Sequence, residues 1–487
     1  MTITNQPGIS GLALSIPRHR VRLDRWAQWT GAPAQKVQAV VGRSFRVCGP
    51  GQSVYTMAAD AVLDLILRYE VDPRDVGFLG FGTESSTDNA AGAVLIRGMV
   101  DDALAQLGRP ALDRRCEVPE FKHACLGGVY GLKSAARYLA CDGRDRRAIV
   151  VSADIAEYER GSSGEQTQGA GAVAMLLDAD PALCHLDLAH SGSASAYRGV
   201  DFRKPFARHH ARGYAERTKR MHDFPIFNGK YSTVCYLEAT LRALEAMLQR
   251  LGPKGERFFD EVAAVVCHRP YHHMPVQAMA TALVWHLARR GDDSLAELCT
   301  AAGVDAERLR EECRGEVDLL SRIDREGVDT EPFPTLMEAA RSYRKHPAFR
   351  DFAATRMSLG QAVVGDLGNL YTAALPAWLG AAFEDAAERD ADLTGRTMLA
   401  LGYGSGDAAE AIPLVVAEGW RAAARKIGFA DALADAVDLD QAQYEALHDG
   451  EPVDLAPPRR GFVVDRVGDR YEPGFQDLGI EYYRWTG

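Results

Sequence analysis

One cysteine sits among small residues in Phe121-Lys-His-Ala-Cys125-Leu-Gly-Gly-Val-Tyr-Gly, and its setting suits a nucleophile. Apolar residues at helical spacing run from Leu126 to Leu139, so Cys125 falls at or just before a helix N-terminus. There the unpaired N–H groups and the helix dipole favour a thiolate. The same N–H groups suit an acyl oxyanion. Residue type alone does not select Cys125, because the chain has nine cysteines and free cysteine is commonly an inert buried residue. No C-x-x-C pair suggests zinc or a redox dithiol.

Three further groups stand where apolar runs end. Glu84 follows Val76–Thr83 in Phe-Gly-Thr-Glu-Ser-Ser, and burial there would raise its pKa into the range of a general base. His268 follows Val262–Cys267, and Pro270 then forces the chain out of the strand. Ser405 lies in Gly-Tyr-Gly-Ser-Gly-Asp after Thr397–Gly402, a turn whose backbone can approach a ligand closely. Taken singly, each also fits a plain loop or structural role. With Cys125 they supply a nucleophile, two acid/base groups and oxyanion donors, the parts needed for acyl transfer.

The elements that must position them alternate. Val76–Thr83, Ala148–Ala153, Gly171–Leu177, Val262–Cys267 and Thr397–Gly402 read as buried strands. Ala58–Tyr69, Leu126–Leu139, Leu237–Leu251, Pro275–Ala288, Ala373–Ala387 and Ala408–Ile427 read as helices. The alternation predicts α/β layers with sheets covered on both faces. Leu295–Arg350 is charged and mostly helical, and is expected to be an insertion or cap rather than core. At 487 residues and 47% hydrophobic composition the chain can bury a large core in two packed halves. The net charge of −11 argues against a nucleic-acid partner. The odd cysteine count and the lack of an apolar run near 20 residues lead us to expect a reduced, cytoplasmic protein with no membrane segment. Against the overall charge, Arg203, Lys204, Arg208, Arg212, Arg217, Lys219 and Arg220 form a basic run with Glu216 as its one acid. Such a run fits either a solvated helix face or a docking site for an acidic partner.

Several blocks in order resemble the 3-hydroxy-3-methylglutaryl-coenzyme A synthases of the thiolase-like superfamily over nearly the whole chain. They are Gly8–Pro17, Gly82-Thr-Glu-Ser85, Ala124-Cys-Leu-Gly-Gly128, Ser152–Tyr158, Gly164–Met175, Asp223–Ser232, His268-Arg-Pro-Tyr271, Gly368-Asn-Leu-Tyr-Thr372, Tyr403-Gly-Ser-Gly406 and Ile480–Arg484. The resemblance implies a five-layered α-β-α-β-α fold of two similar halves, residues 1–185 with Glu84 and Cys125 and 186–487 with His268, Asn369 and Ser405. The helical insertion at about 295–350 would belong to the second half, and a homodimer is implied. Cys125 would be acetylated by acetyl-CoA, and Glu84 would take a proton from the acetyl methyl group. The enolate would attack acetoacetyl-CoA, with His268 polarising the ketone and protonating its oxygen, and water would then release the product from the cysteine. Asn369 and the backbone around Gly404 and Ser405 would hold carbonyl oxygens, while Asp154, Tyr158, Thr167, Asp201 and Tyr371 would lie in or around the pocket. Neither a metal nor a cofactor beyond the thioester substrates is implied.

Two departures bear on the carrier of the acyl group. Leu126 stands where the family often has an aromatic residue, and His273 stands where many members have a lysine near the coenzyme A phosphates. Relatives that install β-branches on polyketide chains take their substrates from acyl carrier protein, and Arg203, Lys204, Arg208, Arg212 and His273 are the residues that would dock one. A non-catalytic protein that kept the fold is a third reading, opposed by the presence of Cys125, Glu84, His268 and Asn369.

Overall fold

The computed structural model describes residues 6–86, 88–206, 216, 224–290, 293–315, 327, 331–456 and 460–487. Ten strands form one hydrogen-bonded sheet among the described residues: β1 Gly8–Ser15, β2 Val76–Gly82, β3 Glu120–Phe121, β4 Arg147–Ala156, β5 Gly169–Asp178, β6 Cys184–Leu186, β7 Gly192–Ser195, β8 Ala264–Cys267, β9 Thr397–Gly404 and β10 Ala408–Val416. Their order is β8-β9-β10-β6-β1-β5-β4-β2-β3, with β7 also paired to β10. The short strand β6 joins the two parts of this sheet, pairing with β1 on one side and β10 on the other.

Helices cover both parts. Among them are α1 Val54–Arg68, α2 Gly92–Gln106, α3 Gly127–Ala140, α4 Gly229–Leu251, α5 His273–Arg290 and α6 Ala374–Glu388. α1 and α2 pack on one face of β1, β4 and β5, α3 and α6 lie between the two parts of the sheet, and α4 and α5 cover the far face of β10 and β9. These are five layers, α-β-α-β-α, as expected of the thiolase-like fold. The strands are buried on both faces, which is why they read as continuous apolar runs.

Two expectations are corrected. The stretch Ala408–Ile427 is not one helix: Ala408–Val416 is β10, antiparallel to β9, and a short helix Trp420–Ala424 follows. A strand buried on both faces shows no alternation, and its alanines mimic a helical run. Pro413 fits because its missing N–H faces the gap between β7, which pairs with residues 408–411, and β6, which pairs with 414–416. The segment around Leu295–Arg350 is helical, as Asp293–Ala302, Ala306–Arg314, Pro334–Tyr343 and Pro347–Arg356, but it is more than a cap. Leu295, Leu309, Cys313, Leu336 and Ala339 are fully buried and join the main core beside Trp285 of α5. Among the described residues no helix is long and apolar enough to cross a membrane.

Candidate active site

The nucleophile and its base are brought together by glycines. β2 ends at Gly82, and a Cβ there would lie 2.5 Å from the Gly128 Cα, so α3 presses its first turn onto the strand that delivers Glu84. A Cβ on Gly128 would in turn meet the Ser152 Oγ at 2.0 Å. Ala124 takes φ 42°, a conformation non-glycine residues rarely adopt, and so turns the chain sharply just before Cys125. Cys125 is 8% exposed, and its thiol lies under the influence of the Glu84 carboxylate. Burial first, then the charges of Glu84 and Asp154, push the thiol well above its ordinary value. The resting group is therefore a thiol, a point the sequence leaves open although the helix terminus by itself favours a thiolate. A helix terminus is worth about 0.3–1 kcal/mol, under one pKa unit, whereas full burial moves a group by up to about 3–5 units.

Asp154 ties the two halves of the site. Its Oδ1 accepts from Thr83 Oγ1 at 2.9 Å, the Glu84 N–H at 2.8 Å and Ser85 Oγ at 2.7 Å. Its Oδ2 accepts from the Thr372 N–H at 2.9 Å and from the Thr372 hydroxyl. Burial raises the Asp154 carboxyl and these hydrogen bonds oppose the rise. The residue does not line the cavity but fixes the backbone of those that do. Next to Thr372, Tyr371 has φ 46° and is 1% exposed, so a second strained residue faces the first across the site.

The cavity, about 230 Å³, is lined by Cys125, His268, Asn369 and Ser405, with an aromatic wall of Tyr158, Phe202, Phe227 and Tyr371. Burial pushes His268 down to about 3, so its imidazole is neutral, and its Nδ1 has no hydrogen-bond partner among the described residues. Its carbonyl accepts from the Tyr236 hydroxyl at 2.8 Å, and its N–H donates to the Leu401 carbonyl. The Asn369 amide oxygen accepts the Tyr371 N–H at 3.0 Å, which leaves its NH₂ group to donate. Gly404 explains how Ser405 reaches Cys125: a Cβ at 404 would meet the His123 carbonyl oxygen at 2.5 Å and the Leu126 N at 2.9 Å. Only glycine lets the end of β9 lie against the turn that carries the cysteine.

The remaining sequence candidates divide. Tyr158 and Thr167 line the cavity. Asp201 stands behind it, where its Oδ2 accepts from the Tyr403 hydroxyl and the Gly406 N–H and so steadies the Ser405 turn. Asp201, Cys235 and Asp407 have ligand atoms within 4.8 Å of one another, the one metal-like cluster among the described residues. Arg198 Nε, 3.9 Å from Asp407, already places a positive charge there. Leu126 is fully buried against Gly402 and Gly404 and does not line the cavity, so the lost aromatic does not reshape it. Arg203 follows the wall residue Phe202, pairs its backbone with Ile226 and lies over the Tyr197 ring; Lys204 is half-buried beside it. Arg208 and Arg212 lie outside the described residues. His273 opens α5 and meets Arg344. Sequence reasoning missed Phe202, Thr233, Tyr236 and Met274 as cavity residues and Thr372 as an Asp154 partner. Thr372 lies in the Gly368–Thr372 block and Thr233 directly follows Asp223–Ser232, while Tyr236 and Met274 sit on helices with no local mark.

Residues 4–182 match the family model described as hydroxymethylglutaryl-coenzyme A synthase N terminal. The chain is 29% identical over 406 residues to a hydroxymethylglutaryl-CoA synthase of Haloferax volcanii, covering 82% of this chain and 80% of the relative. It is 24% identical over 426 residues to hydroxymethylglutaryl-CoA synthase A of Dictyostelium discoideum, covering 85% and 77%. Among solved structures, MvaS in complex with 3-hydroxy-3-methylglutaryl coenzyme A superposes with TM-score 0.76 at 25% identity over the whole of both chains. The curacin pathway HMG synthase in complex with acetyl donor-ACP shares the fold, with TM-score 0.68 at 19% identity over 99% of this chain and 100% of that one. With its cysteine, histidine and asparagine on one cavity of that same fold and its glutamate beside the cysteine, the chain belongs to the hydroxymethylglutaryl-CoA synthase family of condensing acyltransferases.

Proposed function

We propose that this enzyme joins acetyl-CoA and acetoacetyl-CoA into 3-hydroxy-3-methylglutaryl-CoA through an acetyl-Cys125 intermediate. The observation that carries the reading is the Cys125 thiol, raised by the Glu84 carboxylate, at the wall of a cavity that also holds a neutral His268 and the Asn369 amide. As Sγ attacks the acetyl thioester, Glu84 takes the thiol proton and passes it to the departing coenzyme A thiolate. Glu84, ionised again, removes a proton from the acetyl methyl group. The enolate oxygen is held by N–H groups at Cys125 and Ser405, where the β9 turn abuts the cysteine turn. Its carbon attacks the ketone of acetoacetyl-CoA. A neutral imidazole is a hydrogen-bond donor rather than a strong acid, so His268 polarises the ketone, and the proton held by Glu84 ends on the alkoxide. Water then adds to the enzyme thioester and releases the carboxylate and the Cys125 thiol. These steps balance with thioesters and water alone, so no metal or further cofactor is invoked, and a homodimer is the assembly we expect.

A second reading has observations of its own. Arg203 and Lys204 adjoin the cavity wall, and His273 replaces a lysine, which suits delivery of acetyl and β-ketoacyl chains by an acyl carrier protein. The likeness to the complex with 3-hydroxy-3-methylglutaryl coenzyme A, the higher in both identity and TM-score, favours the coenzyme A reading. Intact-mass analysis after incubation with acetyl-CoA tests it: an acetyl adduct on Cys125, discharged by acetoacetyl-CoA, is expected. An enzyme acetylated only by a carrier protein would move the assignment to the second reading.

A further inference from the structure

The turn that carries Ser405 is held from one side by the loop that follows β7. The Ala196 N–H donates to the Asp407 carbonyl at 3.1 Å, the Asp407 N–H to the Ala196 carbonyl at 2.9 Å and the Arg198 N–H to the Gly406 carbonyl at 3.0 Å. Asp201 closes the same loop on the Gly406 N–H. The Arg198 guanidinium then ties this loop to α4, where its Nη2 donates to Glu238 Oε2 at 2.9 Å. Two residues earlier on α4, the Tyr236 hydroxyl holds the His268 carbonyl. One helix therefore sets the place of both the Ser405 turn and the imidazole. The Asp407 carboxylate adds nothing to this hydrogen-bonded frame. It is buried, neither oxygen has a hydrogen-bond partner among the described residues, and Arg198 Nε, 3.9 Å away, has none either. Asp201 and Glu238 surround it with further negative charge. Such a group is a cost to folding, and its place beside the Ser405 turn calls for a reason.

We propose that Arg198 and Asp407 are positioning residues: the pair, anchored on Glu238, holds the Ser405 N–H against the oxygen that gains charge on the acetyl group. On the acyl-thioester reading above, on which this rests, that N–H holds the enolate oxygen. The hydrogen bonds of the turn run mostly through main-chain atoms, so an asparagine at 407 would keep them. What the carboxylate adds is the pull of a guanidinium on the segment two residues after Ser405, in a buried place where charges at this separation attract strongly. A buried charge pair contributes little to stability, and its use here is to select one arrangement of the turn. An oxyanion donor needs one arrangement, because it acts only at about 2.7–3.1 Å from the developing charge. The chain thus keeps an imperfectly paired carboxylate where the placing of a donor outweighs its cost to the fold.

Asp407→Asn, Arg198→Met and the double variant test this by urea unfolding and condensation kinetics. Burial raises the Asp407 carboxyl to about 7, so the assays run on the alkaline side of that value, where it is ionised. In Asp407→Asn, Arg198 keeps Glu238, and the urea midpoint is expected to hold or rise because a buried charge is gone. Its kcat should fall about 10–100-fold at an unchanged KM for acetoacetyl-CoA, the scale of a donor displaced by up to about 1 Å. Exchange of solvent deuterium into the methyl group of acetyl-Cys125 reads enolisation alone and should fall by the same factor. In Arg198→Met, Glu238 keeps Arg242, and kcat should fall as far. The double variant should be no slower than the slower single one, because the two residues act as a unit. A wild-type kcat in Asp407→Asn, a loss in that variant that tracks a lowered urea midpoint, or losses that multiply in the double variant overturns the proposal. Failure of the functional reading looks different: wild-type Cys125 would take acetyl from neither acetyl-CoA nor an acetylated carrier protein, and the proposal would fall with it.

Discussion

Replacing Asp154 tests whether this buried carboxylate is the tie that holds the site. Five donors converge on it, from Thr83, Glu84, Ser85 and twice from Thr372. In Asp154→Ala the hydroxyls can turn to other acceptors already near them. Thr372 Oγ1 lies 3.0 Å from the Gly82 carbonyl and Ser85 Oγ 3.4 Å from that of Ile155. The N–H groups of Glu84 and Thr372 cannot turn, and two orphaned buried donors at about 1–3 kcal/mol each cost about 2–6 kcal/mol. Asp154→Asn keeps one acceptor oxygen for one of the two, and its amide escapes the desolvation of a carboxylate. Its cost is about half. The same backbone carries the base, and a displacement of about 1 Å at a reacting group costs on the order of 100-fold in rate. Urea unfolding and steady-state condensation should therefore order the proteins as wild type, Asn, Ala in both stability and turnover. An Asp154→Ala enzyme with the wild-type urea midpoint and rate would refute the reasoning, and so would an Asn variant worse than the Ala one.

Glu84→Ala should leave acetyl-Cys125 able to form and accumulate while condensation falls about 10²–10⁴-fold, the usual worth of a general base. The same change removes a charge that raises the Cys125 thiol, so alkylation by iodoacetamide should begin at lower pH in the variant, and superimposable pH profiles would remove Glu84 from contact with the thiol. Gly404→Ala places a Cβ 2.5 Å from the His123 carbonyl oxygen, so β9 or the cysteine turn must shift, at about 1–3 kcal/mol. Acetylation and condensation should fall together in that variant, and full activity would show that the two turns need not touch. Asp60 in α1 is buried with its carboxyl pushed up to about 8, opposed by a hydrogen bond from the Phe462 N–H. A raised carboxyl contributes stability below its unfolded value near 4, and this is lost as pH rises through about 8. Asp60→Asn, which still accepts from Phe462, should flatten the decline over that window and be the more stable protein above it. Parallel stability curves from pH 4 to 9 would contradict this.

What the sequence revealed and what it hid follow the range of the forces concerned. Strand ends such as Gly82-Thr-Glu84 and the Cys125 turn are legible because their signals are local: a buried run, a glycine, a polar residue where the run stops. The same local logic failed at Ala408–Val416, where burial on both faces erased the alternation that marks a strand and pairing to β6 and β7, set far away in the chain, absorbed Pro413.

The protonation state of Cys125 lay beyond the reach of the same local logic. Its helix terminus is a neighbour in sequence, but the burial and the Glu84 carboxylate that outweigh it arrive through the fold. Asp154 joins groups 70 and 218 residues away, and Arg344 meets His273 across 71 residues. Residue types therefore announced a condensing site, while the protonation state of its nucleophile and the tie beneath it were decided by contacts that only the packed chain makes. The catalytic consequence is specific. A nucleophile that rests as a thiol must lose its proton before it attacks; Glu84 takes it in the intact enzyme, but without the Glu84 charge the thiol ionises more readily to water, so Glu84→Ala should slow acetylation far less than enolisation, for which Glu84 is the base.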